Sequence, residues 1–153
     1  MGIFNKLFKN TSKRTIDKIP DQWEVLTAEY KGHPMLIRKN TGCNEIAANS
    51  SYSIKCGIAF KLLFPKEDGL PDFEKEPEIN SLEDEMFTLF QEDLNSIIPL
   101  IISTSGFREF VLYTKDLDEF ILRFKKLQDC YRQYSLTSYQ VADAEWKTYH
   151  SFK

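Results

Sequence analysis

One stretch of the chain, from Tyr52 to Leu62, alternates between apolar residues and a mixed set of polar and small residues. A period of two is typical of a β-strand that packs one face on a hydrophobic core. Because a slip of one residue would turn every apolar side chain toward solvent, the pattern also predicts which face is buried. The apolar members of the alternation are Tyr52, Ile54, Cys56, Ile58, Phe60 and Leu62.

The segments on either side of this strand predict a further set of short elements. Helices are indicated by apolar residues at helical spacing, and the second predicted helix has Asp116 as an amino-terminal cap. A tight Ser105-Gly106 turn joins two apolar runs, which makes them antiparallel strands. The predicted elements are a hairpin of Asp21–Tyr30 and Met35–Lys39, helices over Ile79–Phe90 and Leu117–Leu127, and strands over Ile97–Thr104, Phe107–Thr114 and Tyr131–Val141.

This order of elements predicts the α+β class, with a ferredoxin-like βαββαβ antiparallel sheet preceded by an extra N-terminal β-hairpin. Each helix has a single apolar stripe, and right-handed crossovers place both helices on one face of the sheet. The opposite face is then open, unless the hairpin, the tail that contains Trp146 or a second subunit covers it. We expect a basic amphipathic leader at residues 1–19, packed or frayed, and a single α+β domain at residues 20–153.

Charge is distributed unevenly along the chain, although 20 basic and 23 acidic residues give a net charge of only −3. Residues 67–93 are strongly acidic, with Lys75 as their only basic residue. This block is either a solvated loop and helix face or a docking surface for a basic partner, with Glu74, Glu76 and Glu78 as candidate contacts.

Nucleic-acid binding is not predicted. The overall charge is mildly acidic, whereas nucleic-acid binders are usually basic. Phe107 and Phe110 are three residues apart on a predicted strand, so they point to opposite faces of the sheet. An RNA-recognition sheet would place two aromatic side chains on the same face.

Few residues suit catalysis or metal binding. The chain has two histidines, His33 and His150, and it has no Gly-rich phosphate loop or nucleophile elbow. We therefore predict no catalytic residue, no metal and no cofactor. Charged residues within strand patterns cost free energy unless they are paired, so they indicate either an internal ion pair or a binding pocket. The candidate residues are Trp23, Arg38, Asp68, Arg108, Glu109 and Trp146.

Cysteine usage and hydropathy predict a soluble cytoplasmic protein. The three cysteines are widely spaced and include no Cys-x-x-Cys pair, which favours reduced thiols. No apolar run approaches the roughly 20 residues of a membrane-spanning helix. The amino terminus lacks the features of a signal peptide, and Lys6 occupies the position where a myristoylation motif needs Ser or Thr. Apolar residues at helical spacing within residues 1–9 leave weak contact with a membrane surface open.

Several short signatures together resemble a bacterial family that is catalogued as domain of unknown function six-nine-five. The resemblance covers Trp23 to Trp146, and Ala144 stands where a proline is expected. It implies no catalytic residues. Some members are similar to the regulator of ribonuclease E activity type B, a small acidic protein that inhibits its enzyme by binding, which implies a regulatory role by analogy. The signatures are Trp23 with Tyr30, Gly32-x-Pro34, Arg38-Lys39-Asn40, Asp68-Gly69-Leu70-Pro71, Leu82-Glu83-Asp84, Phe107-Arg108-Glu109-Phe110 with Tyr113, and Glu145-Trp146.

The leading functional hypothesis is a non-enzymatic regulatory or protein-binding module, with a protein partner or a second copy of the chain bound at the acidic loop and helix, the open sheet face, or both. One alternative is a small-molecule-binding domain or enzyme that uses Arg38, Asp68 and Arg108. Another is an immunity protein that neutralises a toxin.

Overall fold

The protein is an α+β structure with a six-stranded antiparallel sheet and three α-helices in the part described by the computed structural model, residues 18–153. The predicted leader lies outside the described residues except for Lys18 and Ile19, and Ile19 is buried against the domain. The elements are β1 (Trp23–Tyr30), β2 (His33–Asn40), β3 (Ile54–Lys61), α1 (Glu78–Met86), β4 (Ser96–Thr104), β5 (Phe107–Thr114), α2 (Leu117–Cys130), β6 (Thr137–Ala142) and α3 (Lys147–Ser151).

The strands follow the order β1-β2-β4-β5-β3-β6, and each neighbouring pair is antiparallel. Strand β4 begins at Ser96, and its register with β5 shifts between Ile97 and Leu100. Pro99 lies within this shift and has no N–H to donate to the ladder. The side chain of Gln91 accepts a 2.8 Å hydrogen bond from the backbone N–H of Ile98, which satisfies one donor at the irregularity.

Helices α1 and α2 pack on one face of the sheet, as their apolar stripes predict. Leu82 and Met86 of α1 and Phe124 of α2 join a single buried cluster with Ile58 of β3 and Leu112 of β5. After Met86 the helix widens into a π-helical turn over Phe87–Gln91. None of the helices in residues 18–153 has the length and apolarity needed to cross a bilayer.

The expected open face of the sheet is covered in part by the carboxyl-terminal segment and by the segment between β2 and β3. Trp146 stacks on Tyr113 of β5 with ring centroids 4.0 Å apart, and its indole N–H donates a 2.7 Å hydrogen bond to the carbonyl of Tyr52. Both aromatic residues belong to a second buried cluster, which also contains Tyr149 of α3. Trp146 is therefore a core residue rather than part of a binding pocket.

The last strand is shorter than its sequence pattern predicts. Strand β6 begins at Thr137 rather than at Tyr131, because the intervening residues form a turn after α2. Tyr134 and Leu136 of this turn are buried, and the ring centroids of Tyr134 and Phe60 are 4.8 Å apart. Their apolar character comes from core packing and not from strand pairing.

Candidate functional site

Two arginines from different strands share one carboxylate oxygen. Arg38 of β2 donates from Nη1 to Oε1 of Glu83 at 2.7 Å, and Arg108 of β5 donates from Nη2 to the same oxygen at 2.8 Å. Glu83 comes from α1, so this cluster ties the helix to two strands of the sheet. The Arg38 side chain is 31% exposed and the Arg108 side chain is 2% exposed. The two predicted charges therefore meet in an internal ion-pair cluster.

Arg108 is enclosed by the fold. Its Nη1 donates a 2.9 Å hydrogen bond to the hydroxyl of Ser103, and its guanidinium carbon lies 5.6 Å from the ring centroid of Phe73 and 5.5 Å from that of Phe110. Burial lowers the pKa of Arg108, and the negative charge of Glu83 opposes this effect. Because arginine keeps its charge under all ordinary conditions, the buried Arg108 needs the partly buried Glu83 as its counter-ion.

Arg38 borders a groove with a volume of about 730 Å³ between the start of the sheet and α1 with its π-helical turn. The Arg38 guanidinium lies 5.1 Å from the centre of the Trp23 ring. The rings of Trp23 and Phe87 meet edge to face, with their centroids 6.0 Å apart. We call this cavity the N-terminal groove. Its charged lining residues are the acids Asp21, Glu83, Asp84 and Glu92 and the bases Lys18 and Arg38.

The remaining predicted pocket residues lie elsewhere. Asp68 is exposed, and its carboxylate accepts a 3.0 Å hydrogen bond from the backbone N–H of Leu70, which stabilises a local turn. Glu109 accepts a 2.7 Å hydrogen bond from the Tyr139 hydroxyl on the opposite face of the sheet from Arg108. Contacts within residues 18–153 do not join Asp68 to either arginine, so the predicted convergence of Arg38, Asp68 and Arg108 on one pocket is not found.

Glu76 is buried, although its position within the acidic loop predicted an exposed contact. Its carboxylate accepts hydrogen bonds from the backbone N–H groups of Leu63 at 3.2 Å and Phe64 at 2.7 Å, and also from the hydroxyl of Tyr134. These bonds satisfy backbone donors that become free where β3 ends. Burial and the neighbouring carboxylate raise the pKa of Tyr134. Glu76 is thus a structural residue.

A second surface lies at the end of the sheet where β3 ends and β5 begins. The Leu62 N–H donates to the Gly106 carbonyl at 2.8 Å, and the Gly106 N–H donates to the Gly69 carbonyl at 2.9 Å, so the loop after β3 wraps around the β4–β5 turn. Several large apolar side chains are exposed here; Phe64 is 58% exposed and Phe107 is 52% exposed. We call the exposed side chains at this end of the sheet the loop-end surface: Leu63, Phe64 and Phe73 of the loop and Phe107 of β5, whose side chain points to the opposite sheet face from Arg108, with the exposed acids Glu67, Asp68, Glu74 and Glu78 of the loop and the start of α1.

The loop-end surface was missed by the sequence reasoning because strand and helix patterns do not predict which loop side chains are exposed. The available signal was the presence of Leu63, Phe64 and Phe73 in an irregular, proline-containing segment. Such a segment offers few core positions, so large apolar residues within it are candidates for exposure.

Two of the three thiols are buried, and the described residues contain no metal-binding cluster. Burial raises the pKa values of the Cys43 and Cys56 thiols to about 12. Cys130 is exposed at the end of α2 and forms no disulfide. No group of three His, Cys, Asp or Glu residues in the range 18–153 is arranged to hold a metal ion.

These features define an α+β protein whose internal ion-pair cluster joins helix α1 to the sheet and whose described residues expose several large apolar side chains near the loop that follows β3. The chain belongs to the family of unknown function DUF695, whose model matches residues 21–152. This match confirms the resemblance seen in the sequence. No curated protein and no solved structure matches the chain.

Proposed function

We propose that this protein is a protein-binding module that contacts its partner through the loop-end surface. The observation that carries the proposal is the exposure of Phe64, Phe73 and Phe107 at one end of the sheet. Exposed apolar patches within a polar rim are typical of protein-interaction sites, and aromatic side chains often supply much of the binding free energy.

The rigidity of the loop supports this proposal. Glu76 binds the backbone of Leu63 and Phe64 directly, so the exposed side chains are held by a buried carboxylate. Gly69 packs against the β4–β5 turn with φ of +85°, and a Cβ at this position would lie 2.9 Å from the backbone nitrogen of Gly106. Because a preorganised surface loses little conformational entropy on binding, more of the contact free energy is retained in the complex.

The charge around the patch favours a partner with basic residues. Glu67, Glu74 and Glu78 are exposed, and no residue in the described part forms an ion pair with them. Charges on an interface rim accelerate association with an oppositely charged partner, and salt weakens that effect. We expect the partner to have apolar pockets that are surrounded by lysine or arginine residues.

The finer description of the fold also belongs to this proposal. We propose that β3 to β6 with α1 and α2 form a ferredoxin-like unit and that β1 and β2 are an added hairpin. The strand order β6-β3-β5-β4 within the sheet supports the first part. The antiparallel pairing of Tyr30 with His33 across a two-residue connection supports the second.

We also propose a cytoplasmic location, which the three unpaired cysteines support.

The experiment is affinity capture with the full chain as bait, using wild type and a Phe64→Asp, Phe107→Asp double variant. The matched control is Leu122→Asp, because Leu122 is an exposed apolar residue on α2, away from the loop-end surface. We expect a stoichiometric protein that wild type and the control retain, that the double variant loses, and that high salt weakens. The proposal is wrong if the same proteins are retained by all three baits.

The role of the acidic rim is tested on the captured partner with a Glu74→Lys, Glu78→Lys variant. Reversing two rim charges should reduce the association rate more than it changes the dissociation rate, and it should flatten the salt dependence. Unchanged rates at low salt would remove the acidic rim from the proposal. The immunity-protein alternative stays a prediction, and a toxin as the captured protein would support it.

A further inference from the structure

The N-terminal groove has exposed acids that the fold does not neutralise. Glu83 is bound by Arg38 and Arg108, but within residues 18–153 neither Asp84 nor Glu92 has a lysine or arginine within ion-pair distance. Both acids are exposed on the rim of the groove. This part of the molecule therefore offers two unneutralised carboxylates to a basic ligand.

The groove also has an apolar floor. The rings of Trp23 and Phe87 meet edge to face, and both are partly exposed, as is Leu94. The floor is rigid because Trp23 belongs to a paired strand and packs under the Arg38 guanidinium. An occupant with both apolar and basic side chains would complement the floor and the rim at the same time.

The described chain begins at this groove. Lys18 and Ile19 contribute to its lining, so residue 17 lies next to it in the chain. The 17 residues that precede Lys18 can span up to roughly 55 Å when extended, which is enough to reach any part of the groove. The first 17 residues combine the apolar residues Ile3, Phe4, Leu7 and Phe8 with the basic residues Lys6, Lys9, Lys13 and Arg14, against the single acid Asp17.

We propose that residues 1–17 bind to the N-terminal groove of their own chain, with apolar side chains against Trp23 and Phe87 and basic side chains facing Asp84 and Glu92. A short covalent connection gives the segment an effective concentration on the order of millimolar at the groove, so even a weak contact is populated. Any basic partner of this groove must displace the segment first. The inference does not depend on the loop-end surface.

The test is zero-length cross-linking of the full chain with a carbodiimide, which joins a carboxylate to a contacting lysine. Equal amounts of unlabelled and ¹⁵N-labelled chain are mixed, and the cross-linked peptides are read by mass spectrometry. We expect Lys6, Lys9 or Lys13 to be joined to Asp84 or Glu92 within peptides of a single isotopic composition. Mixed isotopic composition would overturn the proposal, because the occupant would then be a second copy.

A charge swap makes the test specific. A Lys6→Glu, Lys9→Glu, Lys13→Glu variant should lose these cross-links completely, because it has no lysine amine at these positions, so the combined variant is the informative one. Combining it with Asp84→Lys and Glu92→Lys should restore cross-links between the same positions, now with the lysines on the groove.

The matched control is Glu67→Lys with Glu74→Lys, two exposed acids outside the groove. This control should leave the yield at Asp84 and Glu92 unchanged. Absence of cross-links at these two carboxylates in wild type, or equal cross-linking at Glu67 and Glu74, would overturn the proposal.

Discussion

Replacing Glu83 by Gln should destabilise the protein strongly, because it removes the counter-ion of a buried arginine while it keeps the shape of the side chain. Glu83 accepts charge-assisted hydrogen bonds from Arg108 and Arg38 at 2.8 and 2.7 Å. Such bonds contribute roughly 1.5–3 kcal/mol each, and the partly exposed Arg38 contributes at the low end. We therefore expect the free energy of unfolding to fall by about 3 kcal/mol.

The assay is urea denaturation of the full chain at 25 °C, followed by circular dichroism and by tryptophan fluorescence. With a slope near 2 kcal/mol per M, a loss of about 3 kcal/mol lowers the midpoint by roughly 1.5 M. In a thermal experiment the same loss lowers Tm by roughly 6–12 °C for a chain of this size. Fluorescence also reports locally, because Trp23 lies beside Arg38.

Two control variants decide whether the buried charge is the cause. Arg108→Met removes the buried charge but fills the space of the arginine stem with an apolar side chain. Because Glu83 keeps Arg38 as a partner, we expect the free energy of unfolding to fall by about 1 kcal/mol or less. Arg38→Met should also cost about 1 kcal/mol or less because Arg38 is partly exposed. The reasoning is refuted if Glu83→Gln costs less than about 1 kcal/mol, or if Arg108→Met costs as much as Glu83→Gln.

Three further predictions follow from local contacts. In the native protein one thiol, that of Cys130, should react with iodoacetamide at pH 8, whereas all three should react in denaturant; more than one modified native thiol by mass spectrometry would contradict the burial of the other two. Hydrogen bonding from Arg123 lowers the pKa of Asp93 to about 2, so the stability that this pair contributes should be present above pH ~4 and lost as the pH falls toward 2. Arg123→Met should move the carboxyl midpoint of Asp93, followed by NMR, toward its ordinary value, and an unmoved midpoint would exclude Arg123 as the cause. Gly57→Ala should cost about 1–3 kcal/mol in urea unfolding, because a Cβ would lie 2.0 Å from the Tyr139 ring, and most of this cost should disappear when it is measured in a Tyr139→Ala background.

Local patterns in the sequence predicted the α+β class and most of the elements. The alternation around Ile58 and the apolar stripe around Leu82 report burial directly, because strands and helices have fixed side-chain periods. Arg38 and Arg108 lie within predicted strands, where an unpaired charge costs free energy, and this indicated an ion pair. It did not identify Glu83 as their shared partner, because α1 and the two strands meet only in the folded chain.

The roles of Glu76 and Trp146 were decided by tertiary structure. In the sequence Glu76 is one acid among many, and only its approach to the backbone after β3 shows that it is a buried hydrogen-bond acceptor. Trp146 follows a polar stretch, and its burial depends on a stacked contact with Tyr113, 33 positions earlier in the chain. Periodicity has no information about such contacts, because they join segments with no regular spacing between them.

The sequence by itself therefore determined the fold class, the burial of strands and helices, the family, and the presence of one acidic and one basic segment. Only the tertiary structure decided which acids are exposed, which part of the second sheet face is covered, and that Phe64, Phe73 and Phe107 are exposed at one end of the sheet. The reason is physical: secondary-structure periods arise from backbone geometry within one segment, whereas the exposure of a loop side chain depends on which distant segments pack over it.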